Sequence, residues 1–205
     1  MINKIIKIAL IGSTLVLSLG ATDISKENKY FLGISTGISH ISSEYSNLEG
    51  SFSNVTKPDR SGLNLALELG YKYDKSTFST VSYNYIQFSD AKLHNYLVSY
   101  NKKLQDMPYN MYVGVVAGIS YLDLTKSPVA NLPITDGSGG KFAIGFQTGF
   151  EYKLSKDLRL FTQYQYLKAK HTTNITSGTA RAETTRDNLS NLNFGIRWSF
   201  NSFGM

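Results

Sequence analysis

One short stretch holds the parts of an acyl-transfer apparatus. In "KHTTNITSGTARAE", residues 170–183, His171 offers a general base, Thr173 a hydroxyl nucleophile and Glu183 a carboxylate to orient the base. The plainer reading of the same residues is a Thr-rich connection. His171 and Thr173 also fall out of phase with the apolar positions of the preceding segment. Other routes to chemistry are closed. The chain has no Cys, hence no disulfide, thiolate metal site or Cys nucleophile. Its 3 His (His40, His94 and His171) lie far apart without H-x-x-x-H spacing. No metal or cofactor is expected. "DGSGGK", residues 136–141, lacks the spacing of a phosphate-binding loop and reads as a connection.

The elements that would position these residues are strands. "LNLALELGYKYD", residues 63–74, alternates without a break, with Leu63, Leu65, Leu67, Leu69, Tyr71 and Tyr73 on one face. Similar segments span 30–39, 78–88, 94–102 (weaker), 109–124, 141–154, 158–168 and 192–200, eight in all. Between the segments, "DKS", "SKD" and "KLQDMP" are short, as is the connection near "SDAKL", whereas 42–61, 125–140 and 169–190 are long. Short turns at one rim and long loops at the other are the pattern of transmembrane barrels. Before them, Lys4 and Lys7 precede the apolar run "IALIGSTLVLSLGA", residues 8–21, with small residues at Ser18 and Gly20. That run is too short to cross ~30 Å of hydrocarbon as a helix. It reads as a cleaved signal peptide over residues 1–21, leaving one domain over 22–205. Losing Lys4 and Lys7 lowers the formal charge from +6 to +4, and no basic cluster remains to bind nucleic acid.

The expected fold is therefore all-β: an eight-stranded antiparallel up-and-down transmembrane β-barrel preceded by a signal peptide. A soluble barrel would have to store the Leu, Phe and Tyr face inside a lumen too small for it. Turned outward, that face makes a lipid belt. Tyr71, Tyr73, Tyr100, Tyr152, Trp198 and Phe200 then form an aromatic girdle near the short turns. Glu68, Lys72, Glu151, Lys153, Arg159 and Arg197 point into the lumen, where charges persist only when paired. They read as an ion-pair plug, with a narrow gated pore as the alternative.

Phrases such as "GFQTGFEYKLSKDLRLFTQYQYLK" (145–168) and the final "FGIRWSF" resemble the OmpA-like outer-membrane barrels of Gram-negative bacteria over residues 29–200. The resemblance implies an outer-membrane location, contact with outer-membrane lipid and lipopolysaccharide, and a monomer. It implies that the insertion machinery reads the last strand at Phe200, although "NSFGM" follows it here. Surface loops would meet a host or phage ligand. In such a bacterial setting "NVT" (54–56) and "NIT" (174–176) are plain loop residues. "HTTN" (171–174) also resembles the H-x-S-N signature of outer-membrane lipid A deacylases, which would make His171 the base, Thr173 the nucleophile and Glu183 the orienting acid. The expected function is a non-enzymatic barrel with a structural or surface-interaction role. The alternatives are a lipid A deacylase and a narrow ion or small-solute channel.

Overall fold

The computed structural model describes residues 29–49, 60–104, 109–125, 134–136, 139–177 and 180–200. The expected signal peptide, most of the three long connections and "NSFGM" lie outside them. The strands are β1 (Tyr30–Glu49), β2 (Ser61–Lys72), β3 (Thr77–Gln87), β4 (Ala91–Lys103), β5 (Tyr109–Leu124), β6 (Ile134–Asp136), β7 (Gly140–Lys153), β8 (Leu158–Lys168), β9 (His171–Ser177) and β10 (Ala180–Phe200). Antiparallel pairing runs β1-β2-β3-β4-β5-β7-β8-β10, and β10 pairs with β1 to close an eight-stranded barrel. Beyond the closed wall, β9 continues the line of β8 and pairs with the upper part of β10, and β6 pairs with β9. The β2–β3 and β7–β8 turns define a lower rim, where Tyr73 N donates to Thr77 O (3.0 Å) and Leu154 N to Leu158 O (2.9 Å).

Alternation separates the faces as the pleat requires. Leu63 (69 %), Phe142 (68 %) and Val115 (64 %) stand exposed on the outer wall, while Asn64, Gln147 and Arg197 are buried inside. A surface this apolar, running around the whole barrel, is suited to lipid rather than water. Its upper border is a row of outward polar residues: His40, Ser61, Gln87, Lys92, Asp123, Lys168 and Ser190.

Two strands are longer than their sequence pattern predicts. β1 runs on past Ser39 to Glu49, and β10 begins at Ala180 instead of Leu192, so both enter regions expected as loops. These extensions pair with each other from Ser42↔Asp187 to Glu49↔Arg181. Above the apolar border neither face meets lipid, so hydrophobic alternation stops while the hydrogen-bond ladder continues. A register shift between Ile41 and Ser42 leaves Asn188 as an extra residue with φ 29°. Its Oδ1 accepts a 2.7 Å hydrogen bond from the Tyr166 hydroxyl. The bulge reverses the facing of everything above it on β10. Leu189 and Asn191 point inward below it, and Arg186 and Thr184 point inward above it.

Candidate functional site

Among the described residues, polar and charged side chains converge in the lumen, which is filled in layers. In the lowest layer, Arg197 of β10 is 1 % exposed and donates to both Glu68 of β2 and Glu151 of β7. A second bond runs from Arg197 Nη2 to Glu68 Oε2 at 3.1 Å. Lys103 Nζ stands 3.2 Å from Glu151 Oε2, and Arg159 lies at 3.9 Å. The guanidinium sits among four rings: Phe161 (4.1 Å to the centroid), Phe31 (5.2 Å), Tyr112 (5.2 Å) and Phe78 (5.4 Å). Space for these rings comes from glycine. A Cβ at Gly70 would run into the Phe31 ring, and one at Gly33 into the Glu68 side chain.

The middle layer is amide. Gln147 Nε2 donates to Asn101 Oδ1 (2.7 Å), and its Oε1 accepts from Gln163 and Gln165 at 3.1 Å each. Asn64 bonds Asn193 at 2.8 Å, and Tyr112 bonds Gln163 at 2.9 Å. Above it lies an apolar layer that includes Ile41, Ile86, Phe88, Leu93, Leu97, Leu122, Leu167 and Leu189. A chain of paired charges, amides and apolar side chains from three levels blocks a small barrel. Hollows of the outer surface lie elsewhere, one on the outer wall between Tyr109, Phe150, Leu160, Phe194 and Ile196.

The six charged residues anticipated for the lumen do not all join one network. Glu68, Glu151, Arg159 and Arg197 do. Lys72 points its ammonium at Ser199 Oγ (3.0 Å) and lies 5.9 Å from the Phe31 centroid. Lys153 departs from expectation, because it is the last residue of β7 and stands exposed at the lower rim. Lys103 and Tyr112, absent from the anticipated set, complete the layer. Lys103 sits one position past the expected fourth segment, and Tyr112 is a large aromatic on an inner face that also carries Asn110, Val116, Ser120 and Leu122.

Along the lower rim the aromatic rings follow one another. Trp198–Phe200 (5.8 Å), Phe200–Tyr30 (6.0 Å), Tyr30–Tyr71 (5.3 Å), Tyr71–Tyr73 (5.1 Å) and Tyr73–Tyr100 (6.3 Å) make a continuous run. Tyr109 and Tyr152 stack at 5.9 Å further round. Tyr30 and Tyr109 extend the set read from the sequence.

The acyl-transfer set is not assembled. His171 and Thr173 are buried on the inner face, 3 % and 2 % exposed. Glu183 alternates on β10 with the inward Thr184, so it belongs to the outer face. The Asn188 bulge is the cause, since it turns Arg186 rather than an acid toward the histidine. His171 Nε2 meets Ser120 Oγ at 3.0 Å. The ring lies past Lys168, above the lipid belt, and its pKa is pushed down to about 4 by burial and by the charges of Lys141 and Arg186. A base oriented by a carboxylate would have the opposite surroundings. Among the described residues, no group of three His, Cys, Asp or Glu could hold a metal ion.

No protein-family model matches this chain, and no curated protein is similar enough in sequence to serve as a relative. Solved structures do match. Neisserial surface protein A superposes with a TM-score of 0.59 at 15 % identity, covering 83 % of this chain and 97 % of its own. The outer membrane protein OprG from Pseudomonas aeruginosa gives 0.58 at 13 % identity, covering 86 % and 100 %. Both are small eight-stranded outer-membrane barrels, and they do not single out the OmpA-like branch among such barrels. The chain has the fold of a small eight-stranded outer-membrane β-barrel.

Proposed function

We propose that the protein is a non-enzymatic integral barrel of the Gram-negative outer membrane that acts at the cell surface, by structural support or by contacts of its upper end. The observation that carries this reading is the contrast between the two parts of the molecule. The lumen is packed from the Arg197 layer to the apolar layer, while the wall rises above the lipid belt through β1, β10, β9 and β6. A packed lumen disfavours a channel. The outward Glu183 and the cationic surroundings of His171 disfavour a deacylase. Kinship with the OmpA-like barrels is part of the same proposal, as is contact with lipopolysaccharide.

The test pairs planar-bilayer recording of the folded protein with mass spectrometry of lipid A from cells producing it. No conductance steps and unchanged acylation are expected. Steps reproducible in the wild type, or an acyl chain lost in the wild type and retained with His171→Ala, would overturn the proposal.

A further inference from the structure

The apolar layer is roofed by hydrogen-bond donors that no contact described so far uses. Across β1, β10 and β9, Ser43, Arg186 and His171 form one register row on the inner face, with Thr184 and Thr173 in the next row up. Arg186 is 2 % exposed. Its Nη2 donates to the carboxylate of Asp90, which reaches over from the short β3–β4 turn, and its guanidinium lies 6.0 Å from the Phe88 centroid. Nε and Nη1 of Arg186 have no partner among the described residues. The same holds for Ser43 Oγ and Thr184 Oγ1, both on residues more than nine-tenths buried.

Buried donors left unmatched are costly, and most native structures supply a partner for each. Here the unmatched donors outnumber the one unmatched acceptor, Oδ1 of the Asp90 carboxylate that Arg186 already holds. Two guanidinium nitrogens and two hydroxyls can all donate, and they converge on one end of the lumen. The group that satisfies such a set is acceptor-only and negatively charged. Charge agrees, since Arg186 and the nearby Lys141 outweigh Asp90, and His171 stays neutral near pH 7. We propose that this upper end of the lumen binds a small oxyanion, held by Arg186 and by the hydroxyls of Ser43 and Thr184, with Asp90 as the internal anion that competes for Arg186. The site is separate from the Arg197 layer and does not depend on how the cell uses the barrel. Its atoms are closed off from solvent, so occupancy requires the upper end to open.

The experiment uses the full-length folded protein in detergent micelles, with sodium phosphate and sodium acetate as probes at constant ionic strength against sodium chloride. Binding is read by two-dimensional NMR of backbone amides and by the thermal midpoint. Saturable shifts confined to the upper strands are expected for the wild type. The pair Ser43→Ala and Thr184→Val keeps the Arg186–Asp90 contact and should weaken binding roughly 10-fold, as loss of hydrogen bonds to a charged group implies. Asp90→Asn releases the competing anion and should tighten binding, and Arg186→Gln should abolish it. Preference for phosphate over acetate, or the reverse, identifies the class of oxyanion. Absence of saturable binding in the wild type overturns the proposal, and so does equal binding by the wild type and the Ser43→Ala, Thr184→Val variant. Looser or unchanged binding by Asp90→Asn also overturns it.

Discussion

Replacing Arg197 by Met removes the cation at the centre of the lower layer while keeping a flexible apolar side chain among Phe31, Phe78, Tyr112 and Phe161. The two carboxylates then fare differently. Glu151 retains Lys103 at 3.2 Å and Arg159 at 3.9 Å. Glu68, 9 % exposed, loses both of its bonds to Arg197 and becomes a buried charge without its cation. Breaking a buried pair in this way costs about 3–5 kcal/mol, more than either exposed salt bridges or the packing change would. For a chain of this size that is roughly 10 °C in thermal midpoint. The assay is unfolding in detergent micelles, followed by circular dichroism and by heat-dependent gel mobility. Adding Glu68→Gln to Arg197→Met should recover much of the loss, whereas adding Glu151→Gln should recover little or worsen it. The reasoning is refuted if Arg197→Met melts within about 1 kcal/mol of the wild type, a value proper to an exposed pair, or if both rescue substitutions act equally.

Three further outcomes follow from particular contacts. Gly70→Ala places a methyl group in the Phe31 ring and should cost about 1–3 kcal/mol, while Gly139→Ala, with nothing within 4 Å, should leave unfolding unchanged. Asp74 accepts from Ser76 N (2.6 Å), Ser76 Oγ (2.8 Å) and Thr77 N (2.7 Å) at a lower turn; slight burial pushes its pKa up, but these bonds bring it below the usual value. A depressed pKa stabilises above the unfolded carboxyl range and is lost as pH falls through the folded value, so the deficit of Asp74→Ala in urea unfolding should shrink from neutral to strongly acid pH; a constant gap would contradict this. Lys170→Cys, at an exposed position just above the polar border and in a chain with no other Cys, should react with a membrane-impermeant maleimide on intact cells, and protection from it would argue against an exposed upper end.

The strands most legible in the sequence are those whose two faces meet different media. β2 and β7 alternate between Leu or Phe facing out and Asn, Gly, Gln or Glu facing in, and their bounds lie within two residues of the pattern. β4 read weakly because both faces are apolar: Leu93 and Leu97 pack inside the barrel while Tyr96, Val98 and Tyr100 face out. Polar strand above the belt carries no periodic signal, so alternation marks neither the upper half of β1 nor that of β10 as strand. Within the site, the inward facing of Glu68, Glu151, Arg159 and Arg197 follows from alternation alone. Their pairing does not, because Arg197 is 129 residues from Glu68 and 46 from Glu151. The bulge at Asn188 has no Gly to announce it, yet it decides whether Arg186 or Glu183 shares the lumen with His171.

The central claim is that the Leu, Phe and Tyr face meets lipid and the amide face is packed inside. A chain without Cys allows clean single labelling, with nitroxides at Leu65, Phe146 and Phe194 on one face and at Asn64, Gln147 and Asn193 on the other. Electron paramagnetic resonance in vesicles, with oxygen and a water-soluble nickel complex as relaxants, reads the surroundings of each. The account predicts mobile labels relaxed by oxygen at the first three positions, and immobilised labels shielded from both relaxants at the others. Oxygen access at Asn64 and Gln147 with shielding at Leu65 and Phe146 would contradict it.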